Sequence, residues 1–266
     1  MRDLKELSQL PDLEVALLQT ELAWHDPQAN REHFEALFAQ AKGADLILLP
    51  EMFTTGFSME SAALAEPEDG PSVQWLQQQA QAVNAVIMGS LIIQAADGSY
   101  RNRLIWARPE GTYAQYDKRH LFRMAGEHKY YSAGDEQVVV ELKGWKVRPL
   151  ICYDLRFPVW SRSAGDTDLL IYTANWPAAR RNHWNRLLPA RAIENLCYVA
   201  AVNRVGTDGK GYPYSGDSQL LDFQGDYLIA PDTTDGVLRH TLSAKALADY
   251  RERFPAYLDA DIFELR

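Results

Sequence analysis

The stretch Lys146-Val-Arg-Pro-Leu-Ile-Cys-Tyr-Asp-Leu-Arg-Phe-Pro-Val-Trp-Ser-Arg162 constrains this chain more than any other. An apolar run, Val147 to Ile151, is broken only by Arg148 and Pro149 and stops at Cys152. A helical pattern follows, with Leu155, Val159 and Trp160 expected on one face. The stretch therefore reads as strand, tight turn and helix, with a thiol at the turn. The unpaired N–H groups of a first helical turn favour a thiolate, so Cys152 is expected to be reactive. The plain alternative is a buried cysteine that packs as a small hydrophobe.

The same change of pattern recurs along the chain. Leu13-Glu-Val-Ala-Leu-Leu-Gln-Thr20 reads as a first strand. Asp26-Pro27 supplies an N-cap with proline at the first helical position; Phe34, Leu37, Phe38 and Ala41 follow at helical spacing, and Gly43 closes the helix. Leu46-Ile-Leu-Leu49 is a continuous apolar strand, as expected where both faces are covered. Pro71 opens a second helix, with Val73, Leu76, Ala80 and Val83 on its apolar face. Ala85 to Gln94, Arg101 to Arg108 and Thr112 to Asp117 form successive hairpins through Ala96-Asp-Gly-Ser99 and Pro109-Glu-Gly111. The irregular stretch from Lys118 to Asp135 is long for a loop, which marks it for function. Val138 to Leu142 pairs with Lys146 to Ile151 across Lys143-Gly144. A strand at Leu169 to Thr173, a helix near Arg181 to Asn195 and a strand at Tyr198 to Val202 come next. Hairpins turning at Gln224-Gly225 and near Asp235-Gly236, a helix after Ser243 and an aperiodic tail from Pro255 complete the chain. Helices alternating with strands describe an α/β system of mixed sheets covered by helices. Spacing leaves open whether there is one sheet or two.

Composition narrows the class. With 266 residues, 47% hydrophobic and 24% charged, and no linker or repeat, residues 1–266 read as a single domain with a tail from about 255. No run approaches the roughly 18 apolar residues of a membrane span, and the start lacks a secretory core. Two cysteines build no disulfide framework, so a reducing cytoplasm is the expected setting. A net charge of -9 argues against a nucleic-acid or anionic-membrane partner. The histidines (His25, His33, His120, His128, His183, His240) show no zinc spacing, and Gly209-Lys-Gly211 is too short for a phosphate loop. No metal or cofactor is expected.

Glu51, Lys118 and Cys152 each stand where an apolar strand stops. Ligands gather beyond the carboxyl ends of strands in α/β sheets, so these ends can share one pocket. A thiolate attacks a carbonyl, a carboxylate moves protons and an ammonium stabilises an oxyanion. Taken singly, Glu51 and Lys118 read as solvated surface charges; only the trio is informative. A dyad of Cys152 with His128 or His183 leaves Glu51 and Lys118 without a task. Cys197 reads as core, and Glu194 and Asn195 as the structural end of a helix.

These pieces resemble the signatures of the nitrilase superfamily of carbon–nitrogen hydrolases. The segments are Leu48-Leu-Pro-Glu-Met-Phe-Thr-Thr-Gly-Phe57, Tyr116-Asp-Lys-Arg-His-Leu-Phe122 and Ile151-Cys-Tyr-Asp-Leu-Arg-Phe-Pro158, with Ala174-Asn-Trp-Pro177 and Ala190-Arg-Ala-Ile-Glu-Asn195. The likeness runs from about Leu13 to Ile229. Phe53-Thr-Thr-Gly-Phe-Ser-Met59 and Ala125-Gly-Glu-His128 are most similar to the bacterial omega-amidase branch. The resemblance implies a four-layer α-β-β-α sandwich that dimerises through the helices flanking the nucleophile strand, with larger homo-oligomers left open. It implies Cys152 as nucleophile, Glu51 as general base and acid, Lys118 as oxyanion stabiliser, the Tyr153 N–H as second oxyanion donor and Glu127 beside the triad. The alternative for Glu127 is a loop carboxylate in solvent.

Tyr153-Asp154 stands where true nitrilases usually carry Trp-Glu, which favours amide over nitrile hydrolysis. An omega-amidase releases ammonia from the terminal amide of 2-oxoglutaramate or 2-oxosuccinamate. Such a small-molecule substrate carries a carboxylate away from the amide and calls for an arginine fork. Arg156, Arg180 and Arg181 are candidates, with Phe57 and Trp176 as pocket walls. A carbamoylase, an amidase for another short acid and an interaction module without turnover are the alternatives.

Overall fold

The computed structural model describes residues 2–163, 165–261 and 265. The first half runs α1 (Leu4–Leu7), β1 (Leu13–Gln19), α2 (Pro27–Phe38), β2 (Leu46–Leu48), α3 (Ser61–Leu64), β3 (Glu66–Pro67) and α4 (Pro71–Val83), then the meander β4 (Val86–Gln94), β5 (Tyr100–Ala107) and β6 (Tyr113–Asp117). The second runs β7 (Val140–Leu142), β8 (Trp145–Ile151), α5 (Pro158–Ser161), β9 (Leu169–Thr173), α6 (Arg181–Asn195) and β10 (Tyr198–Val202). It ends with β11 (Val205–Thr207), β12 (Pro213–Ser215), β13 (Gln219–Leu221), β14 (Tyr227–Ile229), β15 (Gly236–Leu242) and α7 (Ala244–Arg253).

Two sheets result. One has the order β15-β1-β2-β4-β5-β6, with β3 beside β4; the other has the order β14-β13-β10-β9-β8-β7. Each has a parallel centre, β1-β2-β4 or β8-β9-β10, flanked by antiparallel strands. Strand periodicity then sorts the layers. Val15 and Leu17 of β1 face the second sheet, where Val147, Ile171 and Ala200 meet them in one apolar cluster. Ala16 and Leu18 face outward and pack with Ile47 and Ile87 against Phe34 and Phe38 of α2 and Leu76 of α4. The outer face of the second sheet is covered by Leu188 and Ala192 of α6 and Leu247 of α7. The order is α-β-β-α. Each fully buried large apolar side chain adds about 1.5–3 kcal/mol, and the double covering explains the near-continuous apolar strands.

Local chemistry sets the element ends. Asp26 Oδ1 accepts the Ala29 N–H at 3.0 Å and starts α2, whereas the helix stops at Phe38, short of Gly43. Several expectations need correction. Cys152 does not open a regular helix: a 3-10 turn covers Cys152–Arg156, and Pro158 starts the separate four-residue α5. Leu155 and Trp160 are buried as expected, but Val159 is 50% exposed. No hairpin turns at Asp235-Gly236, because β14 pairs in the second sheet and β15 in the first; the segment crosses between sheets. A hairpin unread in the sequence joins β11 to β12. The stretch after Lys118 holds two short 3-10 turns, Arg123–Ala125 and Glu127–Lys129. In the tail, Ala256–Asp259 form a 3-10 turn, and residues 262–264 and 266 lie outside the described residues. Among the described residues no helix is long and apolar enough to cross a membrane.

Candidate active site

Strand direction explains why distant residues meet. β4 runs parallel to β2, β5 reverses, and β6 reverses again, so β6 and β2 end on the same edge. Asn102 lies at the start of the antiparallel β5 and so reaches that edge too; its carbonyl accepts the Lys118 N–H at 3.0 Å. The second sheet is tied on at the same level. Thr173 Oγ1 donates to the Leu49 carbonyl (2.6 Å) and the Glu51 N–H to the Ala174 carbonyl (3.4 Å). That pins the end of β9, and its parallel neighbour β8, against the end of β2.

The side chains at these ends form one buried cluster. Lys118 Nζ lies 2.7 Å from Glu51 Oε1 and 3.0 Å from each carboxylate oxygen of Glu127. Asn102 Nδ2 donates to Glu51 Oε1 (2.8 Å) and Glu127 Oε1 (3.3 Å), while the Asn175 N–H donates to Glu51 Oε2 (2.9 Å). The Phe122 N–H donates to Glu127 Oε2 at 2.5 Å, so the loop after β6 folds round that carboxylate. Glu127 is buried rather than solvated. Burial alone would discharge Lys118, but the Glu127 and Glu51 carboxylates outweigh it and hold the ammonium well above its ordinary range. Burial raises Glu127, Lys118 opposes that rise, and the charge of Glu51 adds to it.

Cys152 differs from the thiolate expected at a helix start. Burial, then the charge of the Glu51 carboxylate, push the thiol well above its ordinary range, and Lys118 only partly offsets them; the sulfur's hydrogen bond goes to the Asn175 carbonyl at 3.9 Å. The short 3-10 turn leaves this buried sulfur beside an anion, and desolvation prevails. Its backbone sits at φ 43°, a left-handed conformation that costs about 1–2 kcal/mol for a residue with a Cβ. Surrounding structure holds the strain, as at other reactive sites: Arg191 of α6 donates from Nε and Nη2 to the Leu155 carbonyl at 3.1 and 2.7 Å.

A cavity of about 480 Å³ opens above Lys118, Cys152 and Asn175. Phe57, Phe122, Tyr153 and Trp176 line it, with Arg156 and Arg180. Arg156 stacks 4.8 Å over the Trp176 ring and meets His183 Nδ1 at 2.9 Å, and Arg180 lies 5.0 Å over Phe122. Neither has a carboxylate partner among the described residues. Arg181 points elsewhere, paired with Asp217 at 2.7 Å, and leaves the set of substrate candidates. Trp184 donates to the Asp217 carbonyl (2.7 Å), and Cys197 is core, its thiol raised by burial to about 12. Sequence reasoning passed over Asn102, Asn175 and the β11–β12 hairpin, whose Tyr212 and Tyr214 line the mouth. Asn175 lies just beyond β9 within Ala174-Asn-Trp-Pro177 and carried the same strand-end signal as Glu51; Asn102 carried none.

A family model for carbon-nitrogen hydrolases matches residues 14–252. The chain belongs to the carbon-nitrogen hydrolase family. It is 51% identical over 257 residues to omega-amidase YafV of Escherichia coli strain K12, across 96% of this chain and 100% of that protein. It is 34% identical over 250 residues to the 2-oxoglutaramate amidase of Bacillus subtilis strain 168, across 92% and 96%. A crystal structure of a carbon-nitrogen hydrolase superfamily protein from Xanthomonas campestris, with an arsenic adduct in its active site, superposes with a TM-score of 0.95 at 48% identity, covering 97% of this chain and 100% of that one. This hydrolase therefore acts on carbon–nitrogen bonds and falls in the omega-amidase branch of the nitrilase superfamily.

Proposed function

We propose that this hydrolase releases ammonia from the terminal amide of a short 2-oxo acid, 2-oxoglutaramate or 2-oxosuccinamate, and that Glu51, Lys118 and Cys152 carry the chemistry. The observation that carries the proposal is the buried contact of one ammonium with two carboxylates beneath a cavity that opens at a thiol. Similarity to an omega-amidase and a 2-oxoglutaramate amidase supports the substrate class.

The neutral thiol defines the first step. Glu51 takes the Cys152 proton as sulfur bonds to the amide carbon and the carbonyl electrons move onto oxygen. Lys118 and the Tyr153 N–H stabilise that oxyanion; one such donor is worth roughly 3 kcal/mol, or about a hundredfold in rate. Collapse breaks the carbon–nitrogen bond, Glu51 protonates the departing nitrogen, and ammonia leaves a thioester. Glu51 then takes a proton from water as its oxygen adds to the thioester. A second collapse releases the acid and returns the proton to sulfur. Glu127 meets Lys118 Nζ with both carboxylate oxygens and keeps it charged. Arg156, with Arg180 nearby, receives the substrate carboxylate, since neither cation meets a carboxylate among the described residues; Phe57 and Trp176 exclude water.

Residues 1–266 act in this reading as one hydrolase unit. A reduced Cys152 suits the cytoplasm. Val159 of α5, 50% exposed beside the nucleophile turn, belongs to a homodimer face, which sedimentation equilibrium checks.

Ammonia release from 2-oxoglutaramate is the test, with Cys152→Ala as control and the acyl adduct mapped by mass spectrometry. Turnover abolished by the substitution, with the adduct on Cys152, is the expected result. Hydrolysis of N-carbamoyl compounds alone selects a carbamoylase, and no turnover across short amides removes the enzyme reading.

A further inference from the structure

Asp154 lies two residues after Cys152, is fully buried, and takes no part in the chemistry above. Its Oδ2 accepts from the Tyr116 hydroxyl (2.7 Å) and the Ile151 N–H (3.1 Å). Its Oδ1 accepts from the His120 N–H (3.0 Å) and from His120 Nδ1 (2.8 Å). An ionised carboxylate offers about four acceptor sites, and four donors occupy them. Because a carboxylate only accepts, this contact assigns the His120 proton to Nδ1.

The positions of those donors are informative. Tyr116 and His120 stand two residues on either side of Lys118, in β6 and the loop that follows it. Ile151 and Asp154 bracket Cys152 at the end of β8. One carboxylate therefore joins the segment that delivers the amine to the segment that delivers the sulfur, and these segments belong to different sheets. Contacts around it stiffen the joint. The Tyr116 hydroxyl also accepts from Trp160 Nε1 (2.9 Å) and the Arg119 N–H (3.3 Å). The His120 ring stacks on Phe157, 3.7 Å between centroids and 6° between planes. The apolar packing that holds the two sheets together has no preferred direction, whereas hydrogen bonds do.

We infer that Asp154 and His120 are positioning residues that fix the Lys118 ammonium relative to the Cys152 sulfur. The inference rests on the roles proposed for Lys118 and Cys152. An oxyanion donor acts only within about 2.7–3.1 Å of the developing charge, and a misplacement of about 1 Å costs on the order of a hundredfold in rate. A carboxylate that merely stabilised the fold would lower melting temperature without selecting one chemical step.

The test compares full-length His120→Leu, His120→Asn and Tyr116→Phe with the wild type in two reactions: ammonia release from 2-oxoglutaramate and alkylation of Cys152 by iodoacetamide. Alkylation displaces iodide from a saturated carbon and forms no oxyanion, so it reads the sulfur without the oxyanion contact, and Lys118 bears on it only through its charge. For His120→Leu the expected result is a kcat lowered by about tenfold or more, on the scale of a displaced donor, with KM and alkylation rate nearly unchanged. His120→Asn, whose amide N–H can replace Nδ1, recovers most of that loss. Tyr116→Phe repeats the kcat-selective fall more mildly. Native kcat in both His120→Leu and Tyr116→Phe, alkylation that falls in parallel with kcat, or no recovery by asparagine overturns the assignment. If His120→Leu does not fold, Tyr116→Phe decides on the same two readouts. Should the wild type hydrolyse a different short amide, that amide replaces 2-oxoglutaramate and the comparison stands; no hydrolysis of any amide overturns both readings.

Discussion

Glu51 receives hydrogen bonds from Lys118, Asn102 and the Asn175 N–H, and Cys152 rests against it as a thiol. The sign of the resulting pH dependence follows directly. Burial and the Glu51 charge raise the thiol above 9.0, so the thiolate fraction grows with pH and is small at neutrality. Alkylation of the resting enzyme by iodoacetamide should still be accelerating as pH passes about 9; a plateau near neutral pH would contradict that order of effects. Lys118 is held from two sides at 2.7 and 3.0 Å, a fit for a compact ammonium. Lys118→Arg should keep the fold by circular dichroism and lose about a hundredfold in kcat, because a planar fork cannot take that position. At this scale residue types were legible and their environment was not. The thiol at a turn was visible in the sequence; the carboxylate beside it comes from a strand 101 residues earlier, since Cys152 and Glu51 differ by that number.

Proline explains the correction at the Cys152 turn. Pro158 disfavours helical backbone at Phe157 and has no N–H to continue a ladder, so the pattern of Leu155, Val159 and Trp160 is cut into a 3-10 turn and a separate α5. A second local constraint sits opposite. The Gly134 N–H donates to the Lys118 carbonyl at 3.0 Å and closes the loop after β6. A Cβ on Gly134 would overlap the Asp117 carbonyl and come within 2.8 Å of the Asp117 Cβ. Gly134→Ala should therefore lower the melting temperature and, by shifting Lys118, reduce kcat in the same variant; thermal unfolding and initial rates check it. Long elements with clear periodicity, such as α4 and β4, were readable before folding. The β11–β12 hairpin was not, because three-residue strands carry too little alternation to register and are stabilised by where they lie, beside Pro177.

Arg2 and α7 meet at Asp168, just before β9 of the second sheet. Arg251 of α7, buried, donates to Asp168 Oδ1 (3.0 Å) and to the carbonyls of Thr167 (2.6 Å) and Leu196 (2.8 Å). Asp168 also lies 3.3 Å from Arg2 Nε and accepts the Lys146 N–H at 2.9 Å. Removing one partner leaves a buried charge short of compensation, so Arg251→Ala should cost about 3–5 kcal/mol in denaturant unfolding. Its effect on kcat should be small, because the pair is remote from the cavity lining.

Composition, apolar periodicity and proline placement determined the longer strands and helices and their sequence along the chain, with most strands covered on both faces, because those signals act over a few neighbouring residues. The family motifs added the sandwich and the class of bond attacked. Tertiary structure alone decided that β15 crosses to the first sheet, that Asn102 reaches the same edge as Glu51, that Arg181 turns to Asp217 while Arg156 and Arg180 face the cavity, and that Cys152 rests as a thiol. Each of those depends on strand direction, burial or a charge supplied from a remote segment, and none of these is a property of the residues nearby in the sequence.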